Sequence, residues 1–132
     1  MEKWLGRYSN VFYALMRFVA GILFACHGAQ KLFGILGGQK QQGLLQVAGI
    51  IEVVFGIMIA AGFFAGFAAF IAAGEMAVAY FKQHAPRGYS PMMSGGNGGE
   101  LAILFLIIFL YVASIGSGSL SIDGLIGRER RR

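Results

Sequence analysis

Eight residues of this chain are of types that do chemistry and lie within or beside apolar sequence: Arg17, His27, Lys31, Glu52, Glu75, His84, Asn97 and Glu100. Arg17, His27 and Lys31 share one run, RFVAGILFACHGAQKLFGIL (17–36). Glu52 and Glu75 each sit inside a later run, and Glu100 opens the last one. A charge at mid-bilayer is costly unless it meets protein groups or water, so ionisable residues inside a span are candidates for function. Imidazole and carboxyl groups move protons, while ammonium and guanidinium groups hold developing negative charge.

Three chemistries fit such a set. The first is a group of intramembrane ion pairs and hydrogen bonds that fix helix register. A second is a site for a polar head group, such as a quinone or a small redox substrate, in which His27 or a glutamate shuttles protons. The third is a metal site, since His27, Glu52 and Glu75 are ligand types. The paired Glu-x-x-His of di-iron bundles is absent, however, and no metal is expected.

The elements that must position these residues are membrane helices. The chain has 132 residues, 57% of them hydrophobic and 13% charged, with a mean hydropathy of +0.67. Soluble domains carry roughly 25% charged residues. The net charge of +5 therefore does not call for a nucleic-acid partner; the bilayer is the partner that composition requires. Cys26 stands alone, which leaves no intrachain disulfide, and it is read as a small packing residue. The first apolar run is too long for a signal peptide and is read as a retained helix.

Taken in order, residues 1–10 form a polar lead with Trp4 and Tyr8 at the interface. Four apolar segments follow, at about 11–36, 44–62, 65–83 and 98–115, and make one transmembrane domain spanning 1–132. GGQKQQG (37–43) and the short FFAG link are turns, while HAPRGYSPMMSGGNGG (84–99) is a long irregular loop. Glycines at 21, 28, 49, 56, 62, 66 and 74 suit close helix approach in lipid. The predicted fold is an all-α, integral-membrane four-helix bundle. Lys3, Arg7, Arg128, Arg130, Arg131 and Arg132 on the terminal side outnumber Lys40, Lys82 and Arg87, which puts both termini in the cytoplasm.

At ~100° per residue, His27, Lys31, Phe24 and Gly28 fall in one angular sector with Arg17. His27, Glu52 and Glu75 come about eight or nine residues below the outward helix ends, in one layer ~12–14 Å deep, with Lys31 above them. His84, Arg87 and Glu100 lie at the rim. NGGE (97–100) has a local explanation as well: Asn97 as N-cap of the fourth helix and Glu100 as its capping-box partner. Glycines 95, 96, 98 and 99 would also let the loop backbone approach a ligand. GSGSLS (116–121) follows no strand and is not a dinucleotide loop.

At these residues the chain resembles the DoxX family of small four-span bacterial membrane proteins. The matching features are Arg17 ahead of FACHGAQKLFG (24–34), Glu52 in GIIEVVFGI (49–57), Glu75 in AAGEMAVAYF (72–81), His84, GNGGE (96–100) and GSGSLSIDGLIGR (116–128). Ser117 departs from the Gly-Pro-Gly form expected there. The resemblance implies a multi-pass protein of the bacterial plasma membrane linked to redox chemistry, related to membrane subunits of thiosulfate:quinone oxidoreductase. On that basis His27, Glu52 and Glu75 are expected to be catalytic, and Arg17, Lys31, His84, Asn97 and Glu100 to bind substrate. The substrate expected is quinone-like or a small sulfur compound, with no intrinsic cofactor. Electrons would come from bound substrates or from a soluble or membrane redox partner subunit, and homo-oligomers fit as well. A non-catalytic anchor or assembly subunit of a redox or stress-response complex is the alternative, with a small-solute transporter third.

Overall fold

Glycine sets the distance between the first two long helices, α1 (Ser9–Phe33) and α2 (Leu44–Ala61). In the computed structural model, which describes residues 1–127, a Cβ on Gly28 would lie 2.5 Å from the Gly49 carbonyl oxygen and 2.7 Å from the Val53 nitrogen. One on Gly56 would come within 2.7 Å of both the Ala25 nitrogen and the Gly21 oxygen. No side chain fits between backbones this close. Two glycines seven residues apart on each helix thus form a continuous seam, the small-residue packing that serves where lipid removes the hydrophobic drive for association.

A helical turn at Glu2–Leu5 and a 3-10 turn at Gly6–Tyr8 precede α1, so the polar lead is itself helical. The helix stops at Phe33 rather than at the expected Leu36. Gly34 adopts the left-handed conformation (φ 66°) and its N–H bonds the Gln30 carbonyl, a glycine C-cap that the sequence reading passed over. Gly62 (φ 71°) ends α2 in the same way.

The third helix, α3 (Ala65–Ala79), turns alanine inward: Ala65, Ala68, Ala69, Ala72 and Ala73 are buried. It packs on α4 (Glu100–Ile115). Beyond Ala79 the chain continues as a π-helical turn (Tyr80–His84) and a 3-10 turn (Ala85–Arg87), so His84 is helical rather than the start of a loop. At the centre Phe24 of α1 meets Phe105 and Phe109 of α4, with ring centroids 5.7 and 4.8 Å away.

Large apolar side chains point outward. Phe18 and Ile22 on α1, Phe67 and Phe70 on α3, and Leu104 and Ile107 on α4 are all exposed. Many large apolar residues face outward while glycine and alanine line most helix contacts, the distribution of a protein whose solvent is lipid. Three helices, Glu2–Phe33, Leu44–Ala61 and Ala65–Arg87, are long and apolar enough to cross a membrane, and the 16-residue α4 is a shorter apolar helix. This is an all-helical membrane protein, with no strand among the described residues.

The segment after α4 is built into the bundle. The Tyr13 hydroxyl donates to the Gly116 carbonyl at 2.5 Å. Ser117 Oγ donates to the Asp123 carboxylate at 2.7 Å and accepts from the Ala65 N–H at 3.1 Å. Asp123 also accepts from the Phe64 N–H at 2.7 Å. Phe64 stands at the N-cap of α3 in a left-handed conformation (φ 47°) and supplies no side-chain cap. Ser117 and Asp123 therefore take the place of that cap, satisfying two N–H groups at the helix start. Ser121 caps the short helix Ile122–Leu125 through the Gly124 N–H at 2.9 Å. Arg128, Arg130, Arg131 and Arg132, which carried most of the charge count for orientation, lie outside the described residues.

Candidate functional site

Phe24, His27 and Lys31 recur at intervals of three and four, so they form one stripe along α1. Ile71, Glu75, Val78 and Lys82 form another from α3 into the π-helical turn, and Val47, Ala48, Ile51 and Glu52 a third on α2. The three stripes converge on a cavity of about 610 Å³, closed on the α4 side by Leu101, Ala102 and Phe105. His27, Lys31, Glu52, Glu75 and His84 all line it. Five of the eight residues singled out from sequence are thus brought together.

Inside, the Lys31 ammonium donates to Glu52 Oε1 at 2.6 Å. The Glu52 side chain is 2% exposed and that of Lys31 26%, so the ammonium stands between the carboxylate and the rim. Glu52 Oε2 and Glu75 Oε2 are buried without a hydrogen-bond partner. The His27 ring meets Phe105 edge-on with centroids 6.0 Å apart, which holds the imidazole against the cavity's apolar wall. At the rim, His84 Nδ1–H donates to the Asn97 carbonyl at 3.0 Å and the ring stacks on Tyr80. Two carboxyl oxygens without hydrogen-bond partners, an ammonium and an imidazole therefore line one largely apolar chamber. The arrangement can bind a hydrogen-bonding group and exchange protons with it. Among the described residues, no three of His, Cys, Asp and Glu converge as a metal's ligand set would require.

Three sequence expectations need correction. Arg17 lies on the predicted face but at the wrong height, 14 residues or ~21 Å along the helix from Lys31. There its guanidinium, 2% exposed, donates to the carbonyls of Ile59, of Ala60 at 2.8 Å and of Leu120 at 2.8 Å. It ties the C-terminal end of α2 to the closing segment and does not line the cavity. Asn97 is fully engaged within its loop: its amide donates to the Gly88 carbonyl at 2.9 Å and its Oδ1 accepts from the Gly99 N–H at 2.8 Å. It shapes the rim without entering the chamber. The capping box does not form either. Gly98 (φ 72°) inserts a left-handed step, Gly99 becomes the N-cap, and Glu100 falls at the first helical position, outside the cavity wall.

The loop glycines divide in the same manner. A Cβ on Gly96 would reach 2.5 Å from the Met92 oxygen, and one on Gly99 would come 2.6 Å from the Tyr80 ring, so both serve the loop's own packing. Of the four, Gly98 lines the chamber. Gly74, expected to serve close helix approach, and Lys82, used only for orientation, also line it; a Cβ on Gly74 would meet nothing within 4 Å, so among the described residues no helix is packed against it there. Their spacing from Glu75, one residue before and seven after, was the available signal. Asp123 and Ser117 carried none beyond local polarity, because their partners at 64 and 65 are more than fifty residues away.

A protein of Haemophilus influenzae described as uncharacterized is 38% identical over 125 residues, covering 90% of this chain and 93% of its own. No solved structure matches. Residues 12–85 match the pattern of the DoxX family, a span that holds the α1 stripe, Glu52, Glu75 and His84. With more than half of its length matched, including every polar group that reaches the cavity, this chain belongs to the DoxX family.

Proposed function

We propose that the protein binds a quinone-like or small sulfur-containing redox substrate in this cavity, as part of an oxidoreductase system. It does so as a four-span bundle of the bacterial plasma membrane with both termini cytoplasmic. The observation that carries the reading is the meeting of Lys31, Glu52, Glu75 and His27 around one chamber, with an oxygen of each carboxyl left unpartnered. Such oxygens cost free energy in an apolar site unless a guest engages them. In this reading His27 and the two glutamates exchange protons with the substrate. Lys31, already adjacent, holds the negative charge that develops on reduction. The electrons come from a second bound substrate or from a partner subunit.

The closed far end of the bundle favours a pocket over a conduit. Arg17 and the Ser117–Asp123 segment fill the region beyond the Phe24–Phe105–Phe109 layer, which argues against transport of a solute through one protomer. The Lys31–Glu52 pair would also serve a non-catalytic subunit by fixing helix register. Titration of purified protein with a quinone separates the readings. Glu52→Gln and His27→Ala should each weaken binding while leaving the fold intact. Identical affinity in wild type and both variants would remove the site assignment and leave the assembly role.

A further inference from the structure

The substrate proposed above has a head to be held and, in a membrane, a route by which it arrives; the shape of the cavity bears on both. Helices α2 and α3 are antiparallel and tied at the Gly62–Phe64 turn, where Asp123 and Ser117 hold the start of α3. Near that turn they touch, with the Phe55 and Phe67 rings 6.2 Å apart. Counting away from the turn, Ile51 comes opposite Glu75 and Val47 opposite Ala79. All four line the cavity, so beyond Phe55 the chamber borders both helices. Val47 and Val78 line the same opening and are each 53% exposed, and Gly74 between them is exposed as well. A Cβ on Gly74 would meet nothing within 4 Å. On the α2 and α3 side the exposed lining is apolar at Val47, Gly74 and Val78, all within the membrane-spanning helices, and it becomes polar only at Lys82 and Gln83 past the end of α3.

The inner end is the polar one. Glu52 is 1% exposed, and its free Oε2 lies in the wall together with that of Glu75. An anionic head would face two carboxyl groups, while the ammonium of Lys31 already has a carboxylate at 2.6 Å. A neutral head with hydrogen-bonding groups fits this charge pattern; a phospholipid phosphate does not. We infer that the cavity takes its ligand from the lipid phase, as a neutral-headed, single-tailed amphiphile whose head lies against Glu52 and Glu75 and whose tail leaves between α2 and α3 past Gly74. This rests on the redox-substrate reading and specifies the class of molecule that satisfies it.

The test compares two benzoquinones with the same ring substituents, one bearing a decyl tail and the other only a methyl group, titrated against protein in nanodiscs of zwitterionic phospholipid. Gly74→Trp and Val78→Trp fill the mouth from two exposed positions. Phe18→Trp, exposed on α1 nine residues before His27 and outside the cavity lining, is the control. In both mouth variants, affinity for the decyl compound should fall by at least about tenfold, or about 1.4 kcal/mol. The methyl compound and the control variant should stay within about twofold of wild type. Unchanged decyl affinity in the mouth variants, equal loss of both compounds, or the same loss in Phe18→Trp would overturn the inference and leave the redox reading standing. If wild type binds neither quinone, the quinone form of the redox reading falls and this inference falls with it.

Discussion

The Lys31–Glu52 contact gives the sharpest energetic prediction. Replacing Lys31 with Met removes the partner of a carboxylate whose side chain is 2% exposed, while the apolar stem is kept. Breaking a buried ion pair from one side costs about 3–5 kcal/mol, because the remaining charge is left without compensation. Lys31 is 26% exposed, so some water reaches the pair, and the lower end of that range applies, about 3 kcal/mol. Glu52→Gln alone should cost less, about 1 kcal/mol, since the freed ammonium can reach up the cavity toward the rim. The double variant Lys31→Met/Glu52→Gln removes both charges and should recover to within about 1 kcal/mol of wild type. The assay is equilibrium unfolding in mixed micelles followed by circular dichroism for all four proteins, read as a double-mutant cycle. A double variant less stable than Lys31→Met by the full cost of Glu52→Gln would show that the two groups are energetically independent. The account of how Glu52 is accommodated would then be wrong.

Two further outcomes follow from the unpartnered carboxyl and from the clamp. Glu75→Leu removes a buried oxygen that has no hydrogen-bond partner, so stability should rise by about 1 kcal/mol while quinone binding is lost. A fall in stability, in the same unfolding assay, would mean that Glu75 holds the bundle together. Arg17→Met strips charged donors from the Ile59, Ala60 and Leu120 carbonyls and should destabilise by about 3 kcal/mol or more. The folded fraction should keep quinone affinity within about twofold, as measured by titration at matched folded concentration. Affinity lost along with stability would return Arg17 to the site.

The helical membrane character, the stripe carrying His27 and Lys31, and the candidacy of Glu52 and Glu75 were all legible in the sequence. Composition fixes the solvent as lipid. Helical periodicity then fixes which side chains share a face, because both depend only on residue type and local spacing. Height along the bundle is another matter. Arg17 shares the angular sector of Lys31 yet belongs to the opposite end, since rotation repeats every few residues while the ~1.5 Å rise accumulates. Asn97 and Glu100 matched a capping box by spacing, and two intervening glycines moved the helix start past it.

What the tertiary structure alone decided are the relations between distant segments. It brought Lys31 to Glu52 across the glycine seam, and Ser117 and Asp123 to the start of α3. It also gathered stripes from α1, α2 and α3 around one chamber. None of these has a local signal. Each follows from how closely two backbones can approach and from where a buried polar group finds its partner, and both are properties of the packed bundle rather than of any stretch of the chain.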